Sequence, residues 1–207
     1  MSNLRFRAFY RRRLPHIQIA GATYFVTFRL KNSLPIEALE KLSQESKRIK
    51  RLPKERLENE QRLWFDKFDD YLDQALSGET HLKNHQIADL VAEAIYYRDT
   101  KVYDLISFCI KPNHVHLNCT PLEKEKDKFY SLTEILHSLK RHTARKSNLI
   151  LGQSGPFCMD ENNDHVVRDE AELERIIKYI LYNPVRANLV KEQKDWKWAF
   201  VNMTYVE

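Results

Sequence analysis

Two histidines separated by one apolar residue, His114-Val115-His116, offer two imidazole nitrogens from a single short stretch. In an extended chain residues i and i+2 share a face, so His114, His116 and Asn118 point one way and Val115, Leu117 and Cys119 the other. One side suits a core and the other suits chemistry. A bare His-x-His fits two surface polar groups on a half-buried edge strand equally well, so its meaning depends on what the rest of the chain supplies. A second segment, Glu170 to Val190, carries Leu173, Ile176, Ile177, Ile180 and Leu181 as one helical stripe, and Tyr179 falls outside it. That position leaves a phenol free for work other than packing. Asn183 lies four residues on, along the same helix face. Pro184 disfavours helical geometry at Asn183, so an ordinary helix terminus is the bland account of that asparagine.

The elements that must position these side chains follow from periodicity. Gly21-Ala22-Thr23-Tyr24-Phe25-Val26-Thr27-Phe28-Arg29-Leu30 is aromatic and β-branched and predicts a first, central strand. Val102 to Ile110 predicts a second strand. Lys111-Pro112-Asn113 is a turn that returns the chain as the histidine strand, which makes a hairpin. Between them, from Pro35 to about Thr100, the apolar spacing turns helical: Ile36 to Ile49, then Glu58 to Leu76 after Pro53, then the stripe Ile87, Leu90, Val91, Ala94 and Ile95. A further helix opens at Ser131 with Glu134 three residues on, the pattern of a capping box, and buries Leu132, Ile135, Leu136 and Leu139. Its other side carries Lys140, Arg141, Arg145 and Lys146. Those four suit a track of backbone phosphates or, equally, a solvated helix face. The N-terminal arm interleaves Arg5, Arg7, Arg11, Arg12 and Arg13 with Phe6, Phe9 and Tyr10, a mixture that can pair phosphates and stack on bases, or simply stay in solvent.

Composition narrows the classes without choosing one. The 207 residues are 43% hydrophobic and 11% aromatic, enough for one domain with an insertion. A net charge of +5 permits a nucleic-acid partner without requiring one. Cys109, Cys119 and Cys158 are odd in number and form no Cys-x-x-Cys, which disfavours a disulfide framework and a thiolate zinc site. No run is long and apolar enough to span a membrane, and the start lacks a secretory apolar core, so a cytoplasmic protein is expected.

Pro112-Asn113-His114-Val115-His116, followed by Tyr179-Ile180-Leu181-Tyr182-Asn183-Pro184-Val185-Arg186-Ala187, resembles the single-tyrosine transposases of the His-hydrophobic-His nuclease superfamily. Among these it is most similar to the REP-associated tyrosine transposases. Gly21 to Phe28 and Asp164-His165-Val166-Val167-Arg168 match in the same order, so the likeness runs from about Gly21 to Val190. It implies an α/β (α+β) fold, a ferredoxin-like antiparallel sheet backed by helices. On that scheme residues 1–20 are a basic arm, 21–190 the nuclease domain with a helical insertion over about 35–100, and 191–207 a C-terminal extension. The resemblance further implies metal-dependent cutting and rejoining of single-stranded or hairpin DNA through a covalent phosphotyrosine. Tyr179 would be the nucleophile, and His114, His116 and Asn183 would hold Mg2+ or Mn2+. Arg168 and Arg186, inside the matching segments, join Arg11–Arg13 and the basic helix edge as candidate DNA contacts. The protein would act as a monomer or a homodimer.

Three other readings compete. Histidine-triad nucleotide hydrolases also alternate histidines on a strand, but here the third alternating position is Asn118. Rolling-circle initiators carry two tyrosines on one helix, and Tyr182 lies about 60° round from Tyr179, which spacing alone does not exclude. A domesticated hairpin binder that has lost cleavage would keep the fold but has no need of intact His114, His116, Tyr179 and Asn183.

Overall fold

The computed structural model describes residues 6–11, 15–74 and 78–206 of the chain. The candidates Arg12 and Arg13, and Leu76 in the predicted second helix, lie outside the described residues, as does the side chain of Arg11. Strands β1 (Phe6–Arg11) and β2 (Pro15–Ile19) pair antiparallel, so the N-terminal arm is a hairpin. Strand β3 (Tyr24–Leu30) follows, then helices α1 (Ile36–Ile49), α2 (Lys54–Gln74) and α3 (His85–Tyr96). Next come β4 (Tyr103–Ile110), β5 (His114–Pro121), a small β6 (Glu123–Glu125) and β7 (Lys128–Phe129) pair, and α4 (Leu132–Leu151). The chain ends with β8 (Cys158–Val166), α5 (Glu170–Arg186) and β9 (Ala199–Val201).

The main sheet has the order β8-β3-β5-β4-β9 and every pairing in it is antiparallel. Taken as β3-α3-β4-β5-α4-β8, its first four strands have the ferredoxin-like order that the motifs implied, and β9 extends the β4 edge. Alternation sorts the side chains by face. Val26, Phe28, Leu30, Val115, Leu117 and Cys119 join Ile87, Val91 and Ile95 of α3 and Ile135, Leu136 and Leu139 of α4 in the principal core. The opposite face pairs Thr27 with His116, Phe25 with Asn118 and Cys109 with His116 across neighbouring strands. There Ile176 and Ile180 of α5 pack on Phe25 and Cys109. Helices α1 and α2, with Leu34 just before them, form a small cluster of their own: Leu34, Leu42, Phe68 and Leu72. Because helices lie over both faces, the histidine strand is not a half-exposed edge: His114, His116 and Asn118 are fully buried.

Local chemistry sets the element ends. Ser131 accepts from the Glu134 amide while Glu134 accepts from the Ser131 amide, the capping box expected for α4. Helix α4 stops at Gly152, whose φ of 63° is left-handed and strained for any side chain. α5 does not stop at Asn183. It continues through Pro184 to Arg186, and Asn188 takes the left-handed turn just beyond, with φ 54°. Proline removes one donor from the helix ladder, but with only two further residues to run the helix loses little. Among the described residues no helix is long and apolar enough to cross a membrane.

Candidate metal and tyrosine site

The tight β4–β5 turn, closed by the Lys111 amide on the His114 carbonyl at 2.8 Å, aims both histidines under α2 and α5. Each ring is fixed from behind. Asn113 donates its amide N–H to the Leu72 carbonyl at 2.7 Å, which turns its own oxygen toward His114 Nδ1, 2.6 Å away. Thr27 Oγ1 lies 2.9 Å from His116 Nδ1. Asn113 Oδ1 holds the His114 proton on Nδ1, and in the matching tautomer of His116, with Nδ1–H on Thr27, both Nε2 lone pairs face inward; the two Nε2 atoms are 3.1 Å apart. Burial, then the neighbouring His116, Lys111 and Arg186, push the His114 imidazolium well below its ordinary range, so this ring is a neutral donor of electrons at pH 7.

Two lone pairs at 3.1 Å repel unless something positive lies between them. A third electron-rich atom joins them, for Asp69 Oδ2 of α2 is 3.1 Å from His116 Nε2. Asp69 is fully buried, and its other oxygen, Oδ1, has no hydrogen-bond partner among the described residues. The ligand atoms of Asp69, His114 and His116 all fall within 4.8 Å of one another, a group that can hold a metal ion. The spacing fits: neighbouring ligands of an octahedral ion at about 2.1 Å stand about 3 Å apart.

Tyr179 projects from α5 into the same cluster. Its hydroxyl donates to Asp69 Oδ2, and its ring stacks edge-on to His116 at 5.6 Å between centroids. Arg186, two turns along α5, lies with its guanidinium 5.0 Å from the Tyr179 ring centre and Nη2 3.4 Å from the hydroxyl. It also pairs with Asp70 at 3.4 Å. Tyr182, by contrast, is 57% exposed. Asn183 is buried, with Nδ2 3.3 Å from His116 Nε2, and its oxygen accepts from the ammonium of Lys111. Lys111 is itself buried and also donates to Asp73. Burial raises the Asp73 carboxyl above the usual carboxylate range, against the pull of Lys111.

No protein-family model matches the chain. A Haemophilus influenzae protein that bears the name REP-associated tyrosine transposase is 27% identical over 104 residues, which cover 47% of this chain and 58% of that relative. A solved structure of a REP-associated tyrosine transposase bound to a REP hairpin superposes with a TM-score of 0.52 at 14% identity, over 96% of this chain and 82% of that one. The chain is similar to REP-associated tyrosine transposases in sequence and in fold. The resemblance carried by the two motifs thus holds beyond the motifs themselves.

The structure therefore brings His114, His116, Tyr179, Asn183 and Arg186 together and leaves the other candidates apart. α4 lies on the far face of the sheet from the histidines. There Arg141, Arg145 and Lys146 are exposed, whereas Lys140 donates to the carbonyls of Met159 at 3.0 Å and Asp160 at 3.2 Å. Arg168 sits exposed at the start of α5. Sequence reasoning missed Asp69, Asp73, Lys111, Asn113 and Thr27. The available signal was the spacing of Asp66, Asp69 and Asp73, which at 100° per residue fall within about 60° on α2, an acidic stripe in a basic chain. Nothing local says which strand that stripe would meet.

Proposed function

We propose that the protein is a divalent-cation-dependent nuclease and strand transferase for single-stranded or hairpin DNA, with Tyr179 as nucleophile. The observation that supports this best is the meeting of Tyr179, on one helix, with two imidazole Nε2 atoms 3.1 Å apart on the histidine strand. His114 and His116 would hold the ion, with the Asp69 carboxylate and the Asn183 amide both at hand. A bound divalent cation would polarise the scissile phosphate and offset the charge that builds on its oxygens.

The chain's own residues supply the rest. A phenol with an ordinary pKa near 10 is a poor nucleophile in water, so its orientation matters. Asp69 takes the hydroxyl proton as a hydrogen bond and leaves an oxygen lone pair turned away from it. Arg186 offers a guanidinium beside that oxygen, where a phosphate would lie. The phenol oxygen would form a bond to phosphorus, giving up its proton toward Asp69, as the bond from phosphorus to the sugar oxygen breaks. That sugar oxygen leaves with the released strand, taking a proton from water to become its hydroxyl. The phosphotyrosine that results conserves the bond energy for rejoining.

One observation favours a hairpin binder that no longer cuts: the histidine pair is closed off beneath α2. A labelled hairpin with a single-stranded flank separates the two readings. Incubated with Mn2+ and run on a denaturing gel, the parent chain is expected to yield a covalent protein–DNA band. Tyr179→Phe loses the band while binding the hairpin as before, and Tyr182→Phe keeps it. Hairpin binding by the parent without any adduct would establish the non-cleaving reading.

A further inference from the structure

We infer that Asn183 is not a ligand of the cation in this chain, because the buried ammonium of Lys111 occupies its amide oxygen, and that Asp69 from the inserted helix takes its place. This rests on the reading of the histidine cluster as a divalent-cation site.

The argument is one of donors and acceptors. An ammonium carries three N–H donors and no acceptor, so the Asn183 atom that meets Lys111 Nζ must be the carbonyl oxygen. The amide cannot be turned over without setting NH2 against NH3+. The nitrogen thereby faces His116 Nε2 at 3.3 Å, and it has no lone pair to give a metal. Lys111 has little freedom to leave. It is 1% exposed, it bonds Asp73 as well, and its backbone is pinned in the β4–β5 turn. Swinging away would strand a charge in the interior.

Asp69 has the complementary properties. It presents Oδ2 3.1 Å from His116 Nε2, as near as the two histidines are to each other. Oδ2 also accepts the Tyr179 hydroxyl, but that neutral donor leaves it a lone pair and brings no positive charge beside the ion. Oδ1 is buried with no hydrogen-bond partner among the described residues. A carboxylate is also a stronger ligand than an amide for a hard ion. The inserted helix is thus a working part of the site, and Asn183 is a positioning residue that holds Lys111 and steers His116.

Mn2+ binding, measured by titration calorimetry and by the loss of the free-ion EPR signal, tests the assignment without any call on activity. Asp69→Asn is expected to weaken Mn2+ at least tenfold and Asn183→Ala by no more than about twofold. In a Lys111→Met/Asp73→Asn background, which removes one charge of each sign and frees the amide oxygen, Asn183→Ala is expected to weaken Mn2+ fivefold or more. A crystal of the parent grown with Mn2+ gives the same answer directly, with Lys111 still on the Asn183 oxygen and a carboxylate oxygen of Asp69 on the ion. An Asn183 oxygen within ligand distance of the ion, or an Asn183→Ala loss as large as that of Asp69→Asn, overturns the inference. A parent chain that binds no Mn2+ at these residues overturns the cation site itself and is distinguishable from both.

Discussion

Removing the carboxylate of Asp73 should be among the most damaging single changes in the molecule. Lys111 is 1% exposed and Asp73 12%, so the pair is screened by protein rather than by water. Truncating one member of a buried pair costs about 3–5 kcal/mol, because the other charge stays behind without compensation. Here the stranded ammonium would keep one acceptor, the Asn183 oxygen, which places Asp73→Ala near the lower end, at about 3 kcal/mol. For a chain of this size that is a fall in Tm of about 6–12 °C. Lys111→Met should cost less, since the remaining carboxylate is nearer solvent, has Arg186 at 4.0 Å, and is already pushed toward its neutral form by burial. The double variant Lys111→Met/Asp73→Asn, with no charge left to strand, should lie within about 1 kcal/mol of the parent. Urea unfolding followed by circular dichroism measures Asp73→Ala and, with Asp73→Asn as the matching single, all four corners of the cycle. If Asp73→Ala cost under about 1 kcal/mol, or if the double variant cost the sum of the singles, the pair would be solvated and the reasoning about Lys111 would fall with it.

Two other outcomes follow from surface geometry. Reversing Arg141, Arg145 and Lys146 together tests whether the far face of the sheet touches DNA, since each lost phosphate contact lowers the salt slope by about 0.7 on single strands and 0.9 on duplex. An unchanged slope in hairpin-binding titrations would make that edge solvated surface. The capping box of α4 predicts a pH dependence. The Ser131 backbone amide, then its hydroxyl, hold the Glu134 carboxyl below its usual value, so its contribution to stability is complete above about pH 4.5 and is lost as pH falls through the depressed folded-state pKa. Ser131→Ala should cost about 1 kcal/mol at pH 7, and Glu134→Gln should flatten the acid limb of the stability curve in thermal melts across pH 2–5.

How much of this was legible in the chain itself depends on the range of the interaction that decides each feature. The strands and helices were readable because their signals are local: alternation in Tyr24–Leu30, the stripe from Ile87 to Ile95, the Ser131–Glu134 box, the Pro112-Asn113 turn. The stripe analysis of α5 likewise kept Tyr179 out of the apolar face, and in the structure its hydroxyl does meet a polar partner. That Tyr179 meets the histidines while Tyr182 stays exposed needed the fold. So did the hydrogen bonding of the histidines, since Thr27 and Asn113 become their partners only when β3 pairs with β5 and when Leu72 of α2 arrives over the turn. Above all, the acidic stripe of α2 meets the histidine strand some forty residues further along the chain. A carboxylate on a helix looks like ordinary solvated surface until another element covers it, and burial, which brings Asp69 among the histidines and encloses Lys111, is a property of the packed molecule that no local pattern encodes.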